Sequence, residues 1–236
     1  MINRLLVKLF EIYCKIVLKT YSPVKVSGTE NLPNAPYLIY SNHNSHLDYI
    51  ILSVFSNLGF QKTCVLVAKD YWYDNRFRRW FANVFFNAIP VDRNMLFRAE
   101  AISEIVEKCR HKIDPGGANR SLIIFPEGKR SVDGKIQNFK IGPAAIAHQL
   151  NLTLVPAYID GSRHVWPKGK LFMKPGRIKL LFGSSMKLTD DRTFDSEAFD
   201  LIKTNTATLQ DKLLEVKKMM ETGQSVNKKI SEYTHD

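Results

Sequence analysis

Seven short apolar runs, each of strand length, recur along the chain: Val24 to Val26, Tyr37 to Tyr40, Cys64 to Ala68, Val84 to Val91, Ser121 to Phe125, Leu152 to Ile159 and Arg177 to Phe182. Interleaved with them are stretches of helical pattern at Leu47 to Asn57, Arg76 to Asn83, Arg98 to His111, Pro143 to Leu150 and Phe199 to Met220. Strands alternating with helices specify an α/β fold, here a mixed, largely parallel sheet flanked by helices. With 236 residues and neither an internal repeat nor a low-complexity linker, the expected layout is a helix over 1–22, one domain over 23–221 and a polar tail over 222–236. Hydrophobic residues at 44% and charged residues at 24% exclude disordered, collagen-like and disulfide-framework chains.

The charge balance, 34 Lys and Arg against 23 Asp and Glu, is +11 and calls for an anionic partner: nucleic acid, a membrane surface or a phosphorylated substrate. Five of the cations, Arg4, Lys8, Lys15, Lys19 and Lys25, fall in the first 25 residues against the single acid Glu11. The three cysteines, Cys14, Cys64 and Cys109, are odd in number and show no metal-binding spacing, so they read as reduced core thiols in a cytosolic setting.

Charges interrupt the N-terminal apolar run too often for a secretion signal or a spanning helix. Arg4, Lys8, Glu11, Lys15 and Lys19 recur every three or four residues and so line one stripe of a helix. Leu5, Leu6, Leu9, Phe10, Ile12, Tyr13, Ile16 and Val17 cover the broad opposite face. Such a helix either packs on its own domain or lies in a bilayer interface, and composition alone leaves both open. The expected location is membrane-associated, at the cytoplasmic face, without a span.

Two polar blocks stand immediately after apolar strands, at the sheet edge where open α/β folds bind ligands. The first, Ser41-Asn42-His43-Asn44-Ser45-His46-Leu47-Asp48, puts His43 and Asp48 five apart across a strand-to-helix turn, so the carboxylate can fold back to a ring nitrogen. That spacing alone is weak, since about 0.3 such pairs arise by chance in a chain of this composition, and a turn in which Asn42 or Ser45 caps the next helix explains the block equally well. The second block, Phe125-Pro126-Glu127-Gly128-Lys129-Arg130-Ser131, carries more chemistry than a turn needs. Lys140 opens the helix that follows, Lys69 follows the third strand and Arg93 the fourth. Cations recurring at strand ends point to a phosphate site, with Arg93 and Arg130 as bidentate forks and Lys69 and Lys140 as point charges. No metal constellation is readable, and His46 reads as a helix-start residue.

The order His43-x4-Asp48, Val91-Asp92-Arg93, Phe125 to Ser131 and Val155-Pro156-Ala157-Tyr158-Ile159 resembles the glycerolipid acyltransferase family typified by 1-acylglycerol-3-phosphate acyltransferases. The resemblance implies transfer of a fatty acyl group from acyl-CoA or acyl carrier protein to a lysophospholipid hydroxyl, with no cofactor beyond that co-substrate. It makes His43 the general base and Asp48 its partner, and gives Arg93, Glu127, Gly128 and Arg130 to the acceptor's glycerol phosphate. This chain departs from the family pattern at Asn87, where a glycine is usual, and at Lys129, where a threonine is usual. No Gly-x-Ser-x-Gly elbow is present, which favours direct attack over an acyl-enzyme. Backbone amides near Asn42 and Gly128 are the candidates for holding the thioester oxyanion.

Residues 163–187 hold seven Lys or Arg and no acid, a stretch suited to headgroups or coenzyme A phosphates, or simply solvated. Arg76 to Phe81 mixes cations with aromatics, as interfacial helices and packing helices both do. A basic nucleic-acid-binding protein would share the charge but not the two polar blocks, and no helix-turn-helix, finger or RNP-like signature is present, so nucleic acid is not expected as a partner. A silent lipid-binding module of the same fold differs only in lacking activity. The expected partners are an anionic membrane surface, the acyl donor and the lysophospholipid acceptor.

Overall fold

A computed structural model of the chain describes residues 2–92, 99–188 and 198–223. Its strands are β1 (Val24–Ser27), β2 (Tyr37–Ser41), β3 (Thr63–Ala68), β4 (Ala88–Val91), β5 (Ser121–Ile124), β6 (Thr153–Asp160) and β7 (Ile178–Phe182). Its helices are α1 (Ile2–Thr20), α2 (Leu47–Phe55), α3 (Lys69–Trp72), α4 (Arg76–Phe85), α5 (Ala99–Ile113), α6 (Ile141–Leu150), α7 (Ser162–Val165) and α8 (Ala198–Thr222). The strands form one sheet in the order β1-β7-β6-β2-β5-β3-β4, in which every neighbouring pair is parallel except β6 with β7. The expected mixed, largely parallel sheet is therefore observed, with Pro90 on the edge strand β4, where its missing N–H breaks no inner ladder.

Side chains of a strand alternate between faces, and β2 divides the core on that rule. Tyr37 and Ile39 join a cluster with Val7 and Leu18 of α1, Ile51 and Leu52 of α2, and Phe85 of α4. Leu38 and Tyr40 join the opposite cluster, with Val106 of α5, Ile146 of α6 and Leu213 of α8. All five β2 residues are buried. A strand covered on both faces needs the unbroken apolar run seen at Tyr37 to Tyr40.

One expected strand is corrected: the run Val84 to Val91 is not continuous. The Asn75 side chain accepts from the N–H groups of Phe77 and Arg78, starting α4, which runs on to Phe85 because Phe81 and Phe85 pack their rings on Phe10 of α1. Asn87 then turns the chain at φ +44°, a left-handed conformation that glycine adopts most easily and asparagine tolerates. Its amide donates to the carbonyls of Phe60 (2.8 Å) and Thr63 (2.9 Å), so the departure from glycine is compensated locally.

At about 100° per residue, α1 divides into three sectors. Val7, Cys14 and Leu18 are buried against the domain, with Phe10 beside them. Arg4, Lys8, Glu11, Lys15 and Lys19 form the charged stripe. Leu5, Leu9, Tyr13 and Ile16 stay more than half exposed and form a third, uncovered sector. Of the broad apolar face expected for this helix, Leu5, Leu6, Leu9, Ile12, Tyr13 and Ile16 are exposed, while Phe10 packs against the core. Among the described residues no helix is long and apolar enough to cross a membrane. Cys14, Cys64 and Cys109 are buried and unpaired. Burial raises the thiols of Cys14 and Cys64 to about 12. Of the polar tail, residues 224–236 lie outside the described residues.

Candidate active site

β2, β3, β4 and β5 run parallel, so the segments that follow them emerge at one sheet edge. β2 and β5 are neighbours, which brings the two polar blocks together although His43 and Glu127 are 84 residues apart. At the exit of β2 the Asn42 amide donates to the Ile159 carbonyl and its Oδ1 accepts the Ile159 N–H, both at 2.9 Å, fixing the turn to β6.

Asp48, in the first turn of α2, is fully buried. Its Oδ2 accepts from the backbone N–H groups of Asn44 (2.6 Å) and Ser45 (2.7 Å) and from His43 Nδ1 (2.9 Å). A carboxylate only accepts, so Nδ1 is the donor to Asp48 and, in the neutral imidazole, Nε2 is the nitrogen left to accept. The imidazole stacks on Phe125 with centroids 4.1 Å apart and planes 17° apart. One nitrogen is thereby held by a carboxylate and the ring plane by an aromatic neighbour. Ser45 Oγ accepts from Leu47 N–H and donates to the Trp166 carbonyl. The structural content expected of this turn thus coexists with the paired imidazole.

Glu127, expected among the groups facing the acceptor, lies elsewhere: it is 1% exposed and does not line the cavity. Its Oε1 accepts the His43 N–H (2.8 Å) and its Oε2 the Gln137 N–H (2.9 Å). Burial raises its carboxyl to about 7, against the opposing pull of those two N–H donors and with a smaller push from Asp48. Ser131 is also buried and turned away: its N–H donates to the His43 carbonyl (2.7 Å), while its Oγ bonds Asp133 and Gly134. The two residues hold the backbone of His43 from both sides. Gly128 adopts φ +70° and spends its N–H on the Phe125 carbonyl inside the turn, so that amide is not available to an oxyanion.

A cavity of about 210 Å³ lies beside His43, with Gly128, Lys129, Arg130, Lys140 and Lys168 on its walls and an apolar floor that includes Val65, Val67 and Ile124. Arg130 Nη1 is buried with no hydrogen-bond partner among the described residues, and its guanidinium lies 5.9 Å from the Tyr71 ring centroid. Lys69, the first residue of α3, is exposed and off the cavity lining. Arg93 lies outside the described residues.

Two lining residues escaped the sequence reading. Lys168 belongs to the basic stretch read as meeting headgroups or coenzyme A phosphates, or as solvated. His46, read as a helix-start residue, sits among Tyr71, Trp72 and Trp166 with centroids 5.7–6.5 Å away. Burial lowers it to about 4, with Arg130 and His43 pushing the same way, so it is neutral at physiological pH. A second, apolar groove of about 460 Å³ shares His46, Trp72 and Phe86 with the cavity and reaches Phe10 and Tyr13 of α1.

Residues 23–160 match the family model described as acyltransferase. The chain is 31% identical over 176 residues to the 1-acyl-sn-glycerol-3-phosphate acyltransferase of Limnanthes douglasii, covering 73% of this chain and 57% of that protein. It is also 31% identical over 177 residues to the enzyme of that name from Saccharomyces cerevisiae, covering 72% and 54%. The chain thus spans little more than half the length of these curated relatives. The crystal structure of the 1-acyl-sn-glycerophosphate acyltransferase from Thermotoga maritima superposes with a TM-score of 0.62 at 22% identity, covering 89% of this chain and 80% of that one, and shares the fold.

Proposed function

Because this chain belongs to the acyltransferase family, matched over more than half its length, we propose that it transfers a fatty acyl group from acyl-CoA or acyl carrier protein to the free hydroxyl of 1-acyl-sn-glycerol 3-phosphate. The observation that carries this reading is the imidazole of His43, held through Nδ1 by a buried carboxylate, on the wall of a cavity lined with cations. The acceptor hydroxyl gives its proton to His43 Nε2 as its oxygen bonds to the thioester carbonyl carbon. The tetrahedral intermediate then expels the thiolate, which takes the proton back from the imidazolium. The Asp48 carboxylate stabilises that imidazolium and holds its tautomer. No cysteine is exposed to take the acyl group, which fits direct transfer.

Arg130, with an unpartnered Nη1, and Lys129, Lys140 and Lys168 suit the acceptor phosphate, and Arg93 is assigned to the same task from the sequence. The apolar groove beside His46 suits an acyl chain. The uncovered sector of α1, flanked by Arg4, Lys8, Lys15 and Lys19, suits an anionic membrane surface, with the catalytic part of the chain at 23–221 resting on the cytoplasmic face.

An acceptor panel tests this reading. Purified protein given an acyl thioester should acylate lysophosphatidate at least about tenfold faster than lysophosphatidylcholine, because a choline cap adds a cation where Arg130 and the lysines converge. Equal rates on both, or a preference for glycerol 3-phosphate, would reassign the acceptor. No turnover of any acceptor would favour a silent lipid-binding module.

A further inference from the structure

The chain from Trp166 to Pro175, just after α7, doubles back beside both the catalytic turn and α1. Leu171 and Phe172 at its tip are each 78% exposed, the most exposed large apolar side chains among the described residues. Their backbone is nevertheless pinned. Lys174 N–H donates to the Val165 carbonyl (2.8 Å), Lys170 N–H to the Pro167 carbonyl (3.2 Å) and Trp166 Nε1 to the Lys170 carbonyl (2.8 Å). Ser45 Oγ donates to the Trp166 carbonyl (2.8 Å) from the catalytic turn, and Tyr21 OH donates to the Met173 carbonyl (3.4 Å) from the end of α1. A tip that is pinned rather than slack presents two large apolar groups in a fixed place, so that covering them with an apolar phase gains their burial without first ordering the loop.

The surroundings say which occupant. Lys168, Lys170 and Lys174 are all exposed around the tip, inside a stretch with seven cations and no acid. Leu171, Phe172 and Met173 form one bank of the apolar groove, and Phe10 and Tyr13 of α1 line the same groove, so the tip adjoins the uncovered sector of that helix. An apolar tip with a basic collar matches an anionic bilayer interface, where apolar side chains enter the acyl region and ammonium groups stay at the phosphates. An acidic protein partner would account for the lysines and leave the apolar tip unexplained.

We propose that this loop is a second bilayer contact, in which Leu171 and Phe172 enter the interface of an anionic membrane beside α1 while Lys170 and Lys174 take headgroup phosphates and Lys168 stays on the cavity wall. The proposal rests on the membrane-surface reading above. Since Ser45 holds the loop and the Trp166 ring lies 5.7 Å from His46, the segment that meets lipid is also a wall of the His43 site. The mouth of the cavity is thereby set at headgroup depth, where a lysophospholipid presents its hydroxyl.

Flotation of the full chain with phosphatidylglycerol–phosphatidylcholine vesicles, without substrate, tests this. The double variant Leu171→Ser/Phe172→Ser changes only exposed side chains and should keep its melting midpoint, yet its partition onto vesicles should fall about tenfold or more. Wild-type protein that floats while the double variant floats equally well would overturn the loop assignment alone, and would leave the lysines to a soluble partner. Wild-type protein that fails to float would overturn the membrane-surface reading together with it. Neither outcome depends on whether acyl transfer occurs.

Discussion

Replacing His43 with alanine is expected to lower the rate of acyl transfer by about 10² to 10⁴-fold, the range that a positioned general base contributes. An alcohol is a weak nucleophile at neutral pH, whereas the thioester is already activated, so removing the proton acceptor acts on the limiting partner. The loss should fall mainly on kcat, because Arg130 and the lysines that suit the acceptor phosphate are untouched. The fold should survive. The ring is partly exposed, its backbone bonds to Glu127 and Ser131 remain, and Asp48 Oδ2 keeps the N–H groups of Asn44 and Ser45. Steady-state kinetics alongside a thermal melt separate the two effects. A variant with wild-type turnover would remove His43 from the mechanism.

Glu127 should produce the second large effect, on stability and with a definite pH dependence. Glu127→Ala leaves the part-buried N–H groups of His43 and Gln137 without their acceptors, which costs about 1 to 3 kcal/mol. The backbone that carries His43 then loosens, and turnover should fall too. In the wild type, burial holds the folded carboxyl at about 7, against 4.5 for the unfolded one. Between those values the folded state binds more protons, so stability is complete below the unfolded pKa and declines as the pH rises through the folded one, by about 3 kcal/mol in all. Glu127→Gln carries no such charge. Denaturant unfolding at pH 4.5 and pH 8 should therefore show the variant gaining about 3 kcal/mol on the wild type across that interval. A difference that does not change with pH would mean that Glu127 stays ionised in the folded protein.

The strand runs were readable because a strand covered on both faces leaves an uninterrupted apolar segment, as Tyr37 to Tyr40 does within β2. Where an apolar run crosses from helix to strand, as at Val84 to Val91, composition does not mark the change. The Asn75 cap and the left-handed Asn87 do, and both need geometry to be seen. α3 and α7 are four residues each, too short to have a period. The His43–Asp48 hydrogen bond is legible because the pairing is local, five residues across one turn. Glu127 binds the backbone of His43 and Gln137, which the block does not show, since a Pro-Glu-Gly turn does not reveal which way the carboxylate points. Lys69 likewise stands at a strand end but off the cavity lining, a difference that position in the chain does not reveal. His46 and Trp166 meet across 120 residues, a contact that only the sheet order brings about.

Direct transfer leaves a signature that neither a silent module nor an acyl-enzyme shares. Purified chain mixed with an acyl thioester should release no thiol and show no added mass until lysophosphatidate is supplied, after which thiol and phosphatidate should appear in equal amounts. Thiol release with an acyl group retained on the protein in the absence of acceptor would contradict base catalysis by His43 on the acceptor hydroxyl.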